Sequence, residues 1–307
     1  MLDDVLRAIS GRPKGTRLLF LSDYDGTLAE FDPDPAIPRP AKETAELICK
    51  LALREDLSFG IVSGRRIADV RTRTQLPGRA YLAGLHGMEI EVGSERWQHP
   101  DLNHARQHVR ALYERLCDLP GRFAGLVIED KHASLAVHVR GVVAEVRSDA
   151  LLEANRRAQP LMATGNLRRM SGNMVLEFLP NVAAHKGDAT RWIIKHVENR
   201  CRQPVWTVFV GDDVTDEDAF KAITTGIGVL VGRRLTSATH VLTDTHEVCR
   251  LLRRLAEGTG IAGAASAAGA SGAGPGGAGA GGAGATSVTG GGEAATTNTR
   301  LASTSYR

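Results

Sequence analysis

The chain has 307 residues, a net charge of +3 and 5% aromatic residues, and its arginines cluster as pairs such as Arg156-Arg157 and Arg233-Arg234. Dispersed pairs argue against nucleic-acid binding, which calls for dense basic stripes interleaved with aromatic rings. Cys49, Cys117, Cys201 and Cys249 are far apart with no CxxC pair, so neither thiolate metal ligation nor a disulfide framework is expected. The opening MLDDVLRAIS has no apolar signal core, and no run nears the roughly 18 apolar residues of a spanning helix. A cytoplasmic monomer with no membrane and no nucleic-acid partner is the expectation.

In chain order, the apolar run Arg17–Leu21 reads as a buried central strand ending at Ser22-Asp23. After a loop with Pro33, Pro35, Pro38 and Pro40, the spacing of Ala45, Ile48, Leu51 and Ala52 predicts a helix over 41–54. Leu57–Val62 is a second strand, a helix runs near Ile67–Arg73, and Tyr81–Ala83 is a third strand. Strand–loop–helix alternation points to parallel βα units. The middle differs. A helix over His104–Leu119 precedes strands at Leu126–Glu129 and Leu135–Val139, then a helix over Val142–Arg157 ended by Pro160. Strands follow near Leu161–Ala163 and Met174–Leu179, so an α+β segment of about 101–179 is expected to interrupt the parallel sheet. The βα pattern resumes with a helix from Lys186 to Glu198, a strand at Trp206–Val210, a last strand at Gly228–Gly232 and a helix over His246–Ala256. From 258 to 307 the chain is Gly, Ala, Ser and Thr with almost no large apolar side chain, and is read as disordered.

The acids of interest follow predicted strands, where open α/β sheets form their ligand crevice. Asp23 and Asp25 follow the first strand, Ser63 the second, and Asp212, Asp213 and Asp216 the strand ending at Val210. Lys186 opens a helix. Converging carboxylates repel unless a divalent cation lies between them, and all-oxygen ligation favours Mg²⁺ over Zn²⁺. Such an ion beside a lysine and a serine hydroxyl suits phosphoryl transfer, with a carboxylate as nucleophile and its neighbour as proton donor and acceptor. Arg65 either reaches the phosphate or pairs with a nearby acid. Glu129 and Lys131, two apart, share a face of one strand.

Asp23-Tyr24-Asp25-Gly26-Thr27, Ser63-Gly64-Arg65, Lys186 and Gly211-Asp212-Asp213-x-x-Asp216 resemble, in order, the four motifs of haloacid-dehalogenase-like phosphatases. Gly84–Glu89, Glu129-Asp130-Lys131, Glu177 and Gly211–Glu217 are together similar to trehalose-6-phosphate phosphatases, a resemblance covering about Leu18 to Leu255. It implies an α/β fold: a Rossmann-like parallel-sheet core over 1–100 and 180–257, and an inserted α+β cap of the C2 type over 101–179. It also implies hydrolysis of trehalose 6-phosphate through an aspartyl-phosphate on Asp23, with Asp25 as general acid and base. Ser63 and Lys186 would hold phosphoryl oxygens. Asp23, the Asp25 carbonyl and Asp212 would bind Mg²⁺, supported by Asp213 and Asp216. Arg65, Glu129, Lys131 and Glu177 would contact substrate. A phosphatase for another sugar phosphate, or an inactive sugar-phosphate sensor, is the alternative.

Overall fold

The computed structural model describes residues 1–30, 32, 38–172, 174–182 and 184–258. The segment read as a disordered tail lies outside them beyond Gly258, as do Pro33 and Pro35. Helix α1 (Leu2–Ser10) precedes β1 (Arg17–Ser22), followed by α2 (Lys42–Leu53), β2 (Leu57–Val62), α3 (Ile67–Thr74) and β3 (Tyr81–Gly84). A 3₁₀ turn over Leu85–Gly87 leads into β4 (Glu89–Val92) and β5 (Glu95–Gln98). Next come α4 (Leu102–Leu116), α5 (Leu119–Arg122), β6 (Val127–Asp130), β7 (Leu135–His138), α6 (Ala144–Met162), β8 (Leu167–Gly172) and β9 (Val175–Pro180). The chain then runs through α7 (Lys186–Cys201), β10 (Val205–Gly211), α8 (Asp216–Ala222), β11 (Gly226–Val231), β12 (His240–Leu242) and α9 (Thr245–Ala256).

The larger sheet has the order β12-β11-β10-β1-β2-β3-β4-β5, parallel from β12 to β3 and closed by the antiparallel β4 and β5. Successive side chains of a strand point to opposite faces. Leu18 and Phe20 therefore pack with α1, α2 and α9 through Val5, Ile48, Leu51 and Leu251. Leu19 and Leu21 pack on the other face with Ala189, Ile193 and Phe220 of α7 and α8. Two covered faces are why these strands read as unbroken apolar runs. Sequence order reverses at β1, whose neighbours are β2 on one side and β10 on the other. Ser22 is level with Val210 and Ile61, so the segments carrying Asp23, Asp212 and Ser63 leave the sheet at one edge.

A second, four-stranded antiparallel sheet has the order β6-β7-β9-β8. Leu135, Val137, Leu176 and Phe178 form one face, buried under Val109 and Leu112 of α4 and Ala150, Ala154 and Ala158 of α6. The alternate residues form the other face. There the register aligns Glu129, Ala136 and Glu177 in one row.

Several sequence expectations need correction. Helix α6 continues through Pro160 to Met162, so proline does not end it. Proline removes one intrahelical donor and crowds the carbonyl four residues back, but the buried Ala150, Ala154 and Ala158 stripe keeps the helix on the sheet. Leu161–Ala163 is thus the helix end, and the strand comes later as β8. The His104–Leu119 helix starts at Leu102 and breaks after Leu116, with α5 separate. β11 is not the last strand, because β12 pairs beyond it.

Candidate active site

The floor of the site is set by one lysine. Lys186 begins α7 and is 2% exposed; its Nζ lies 2.9 Å from Asp23 Oδ1 and 2.7 Å from Asp216 Oδ1. Burial works against its positive charge, but Asp216 and Asp23 outweigh that and raise its pKa. Asp23, Asp212 and Asp216 each offer a carboxylate oxygen within 4.8 Å of the others. Three converging acids exceed the charge of the one lysine. Burial drives the Asp23 carboxyl well above its ordinary pKa against the pull of Lys186. Burial and then Asp216 push Asp212 up to about 7. This oxygen-only, over-negative cluster fits a divalent metal ion.

Local structure explains the motif residues. After Asp25 the chain folds back on itself, with Gly26 at φ 74° and its N–H donated to the Ala29 carbonyl at 2.7 Å. That reversal buries Thr27, whose Oγ1 donates to Asp212 Oδ1 at 3.0 Å and ties the first motif to the last. Gly211 is required by packing: a Cβ there would lie 2.4 Å from Asp216 Cγ. Asp216 in turn accepts from the Asp213 N–H at 2.9 Å and closes the loop.

Asp25 contributes no carboxylate oxygen to the metal cluster, and neither does Asp213. Instead Arg65 grips Asp25 with a two-pronged contact, Nε and Nη2 each 2.7 Å from a carboxylate oxygen. Pairing with a nearby acid, one of the two readings of Arg65, is thus observed. The guanidinium also lies 5.5 Å from the Tyr24 ring centroid and 3.8 Å from Glu129 Oε1 of the second sheet. Ser63 is buried, accepts the Arg65 N–H at 3.1 Å and lines the same cleft.

Facing this floor is the polar row of the second sheet. Lys131 Nζ is 3.1 Å from Glu177 Oε1 and 3.9 Å from Glu129 Oε2. Burial opposes all three charges, yet mutual pairing prevails. Lys131 is raised by Glu177 and Glu129, and Glu177 is held well below the usual carboxylate range by Lys131 and His86. Glu129 is lowered by His138, Lys131 and Arg65. The cleft thus joins residues from both sheets, including Asp23, Arg65, Lys186, Glu129, Lys131 and Glu177.

Sequence reasoning missed several supports. Ser134 Oγ donates to Glu177 Oε1 at 3.0 Å, and His138 Nε2 lies 3.0 Å from Glu129 Oε2. Arg234 donates to the Asp212 carbonyl at 3.0 Å and the Asp213 carbonyl at 2.6 Å, and is itself held by Glu217. Of these, only Glu217 carried a signal, through its place beside Asp216. His86 also lines the cleft, with Nε2 3.6 Å from Glu177 Oε1.

The sequence profile of the family described as trehalose-phosphatase matches residues 21–252. The chain belongs to the trehalose-phosphatase family. The Mycobacterium marinum trehalose-phosphate phosphatase is 31% identical over 279 residues, covering 85% of this chain and 68% of that protein. The Mycobacterium avium trehalose-phosphate phosphatase is 32% identical over 270 residues, covering 83% and 67%. The C-terminal domain of C. albicans trehalose-6-phosphate phosphatase superposes with a TM-score of 0.71 at 22% identity, covering 83% of this chain and 96% of that one. At that identity the superposition speaks for the fold alone. The chain is accordingly a hydrolase of that family with a haloacid-dehalogenase-like fold. Among its described residues, no helix is long and apolar enough to cross a membrane.

Proposed function

We propose that this phosphatase cleaves trehalose 6-phosphate to trehalose and inorganic phosphate, the last step of trehalose biosynthesis, with Asp23 as nucleophile. The observation that carries the reading is the opposition of two charge patterns across one cleft. On one side, Asp23 and Lys186 suit a phosphoryl group. On the other, Glu129, Lys131 and Glu177 suit a sugar rich in hydroxyls, to which charged groups make the stronger hydrogen bonds. On this reading residues 1–100 and 180–257 form the catalytic core, and residues 101–179 form the cap that selects the sugar.

The ionised Asp23 carboxylate attacks phosphorus, and the bond from phosphorus to the sugar oxygen breaks. Asp25 gives its proton to that leaving oxygen, then takes one from the water that attacks the aspartyl-phosphate. Release of phosphate restores Asp23. Lys186 and the Ser63 hydroxyl hold the phosphoryl oxygens, and Arg65 fixes the direction in which Asp25 points. A Mg²⁺ ion held by Asp23, Asp212 and Asp216, with the Asp25 carbonyl and Asp213 in support, would neutralise charge gathering on the phosphoryl oxygens.

Phosphate release from purified protein across a panel of sugar phosphates tests the reading. Trehalose 6-phosphate should give the highest kcat/KM, and Asp23→Asn should lower turnover by about 10³-fold or more. A stronger preference for another sugar phosphate would remove the substrate assignment. Unchanged release by the Asp23→Asn variant would remove the nucleophile, and no release from any substrate would favour a sensor.

A further inference from the structure

Helix α4 carries a histidine pair that the phosphatase reaction does not use. His104 and His108 are one helical turn apart, His104 exposed and His108 half-buried, with the buried Leu112 one turn further on. Residues at i and i+4 lie one above the other on a helix, which brings their side chains together. The two Nε2 atoms are 3.0 Å apart, with ring centroids 4.4 Å apart and ring planes at 86°. Neither ring lines the catalytic cleft.

We propose that His104 and His108 form a chelating site for a late first-row divalent ion of the Ni²⁺, Cu²⁺ or Zn²⁺ class, with water completing the coordination. Imidazole nitrogen binds such ions at about 2.0–2.1 Å. Two donors 3.0 Å apart then subtend roughly 95° at the ion. That angle is close to the right angle of neighbouring positions in square-planar or octahedral coordination, which Ni²⁺ and Cu²⁺ prefer. A tetrahedral Zn²⁺ requires only a slight widening. The 3.0 Å contact is a hydrogen bond in which one Nε2–H donates; with that proton moved to the Nδ1 of its ring, rotation about the broad χ2 torsion aims both lone pairs at one ion while the helix stays in place. His104 is exposed and His108 half-buried, so water has access to the remaining positions. A soft or borderline ion therefore has two nitrogen donors here, whereas the carboxylate centre offers hard oxygens to a different class of metal.

The site is tested by titrating Ni²⁺ into the full chain at saturating Mg²⁺, which keeps the carboxylate centre filled, with heat as the readout. Wild type should bind one Ni²⁺ tightly, and His104→Ala and His108→Ala should each weaken it about tenfold or more, because the second donor acts at high effective concentration. Both variants should keep wild-type kcat and KM, showing that the fold survives. Cu²⁺ bound to the wild type should show two nitrogen couplings by electron paramagnetic resonance, and one in either variant. A Ni²⁺ isotherm unchanged by both substitutions, or no binding by the wild type, would overturn the proposal.

Discussion

The carboxyl of Asp212 shows how a single group can report on the whole centre. Its pKa is pushed from the ordinary 3.8 up to about 7 by burial and by Asp216. The folded state therefore holds this proton more tightly than the unfolded chain does. Stability from this group is full below about pH 4 and is lost as pH rises through about 7. Metal-free protein should melt at a lower temperature at pH 8 than at pH 6. A divalent ion held by these carboxylates would compete with the proton for the same oxygens, so Mg²⁺ should raise the melting temperature more at pH 8. An equal increment at both values would show that Asp212 does not titrate in this range. Arg234 acts at the same scale by holding the Asp212 and Asp213 carbonyls. Arg234→Gln should weaken Mg²⁺ binding by about 10–100-fold, the usual loss for groups that orient ligands. Activity at saturating Mg²⁺ should largely return; a fall in kcat that Mg²⁺ does not reverse would deny this positioning role. Asp23 and Asp212 were legible in the sequence because each directly follows a buried strand. Arg234, Ser134 and His138 were not, since their importance depends on neighbours brought in by folding. An arginine beside Arg233 carries no local mark of what it holds.

At the level of elements, legibility tracked burial. β1 and β10 carry the buried apolar runs Leu18–Leu21 and Val208–Val210, and their bounds are legible to within a residue or two. β8, with the sequence LRRMSG, buries only Leu167 and is defined by its pairing with β9. No periodicity in those six residues announces a strand, which is why the apolar Leu161 drew the assignment instead. β7 offers a sharper test of the substrate face. Ala136 lies between Glu129 and Glu177 in the register and is fully buried, so a larger side chain there would press on both acids. Ala136→Leu keeps an apolar residue in the strand but displaces those acids. KM for trehalose 6-phosphate should rise at least tenfold, while hydrolysis of a small phosphate ester changes little. Equal losses on both substrates would indicate damage to the fold rather than to sugar recognition. Phe178, fully buried on the opposite face, supplies the contrast: Phe178→Ala should cost about 3–5 kcal/mol of stability, measurable by denaturant unfolding.

Across the whole molecule, one chain of charges joins the two sheets: Asp25 to Arg65, Arg65 to Glu129, and Glu129 to Lys131. On the proposed function, a sugar entering the cleft would meet the far end of this chain while its phosphate met the core. Glu129→Gln should therefore raise KM for the sugar phosphate more than it lowers kcat, as steady-state kinetics would show. A pure kcat effect would mean that Glu129 serves the chemistry instead. The outer boundaries of the larger sheet have a different consequence. β12 is three residues long, and β5 at the other end is the exposed ERWQ, with Glu95 beside His196 and Arg96 beside Glu91. A strand from a neighbouring molecule could dock on β5 only by stripping water from those charges, so the open margin of the sheet resists growth into fibrils.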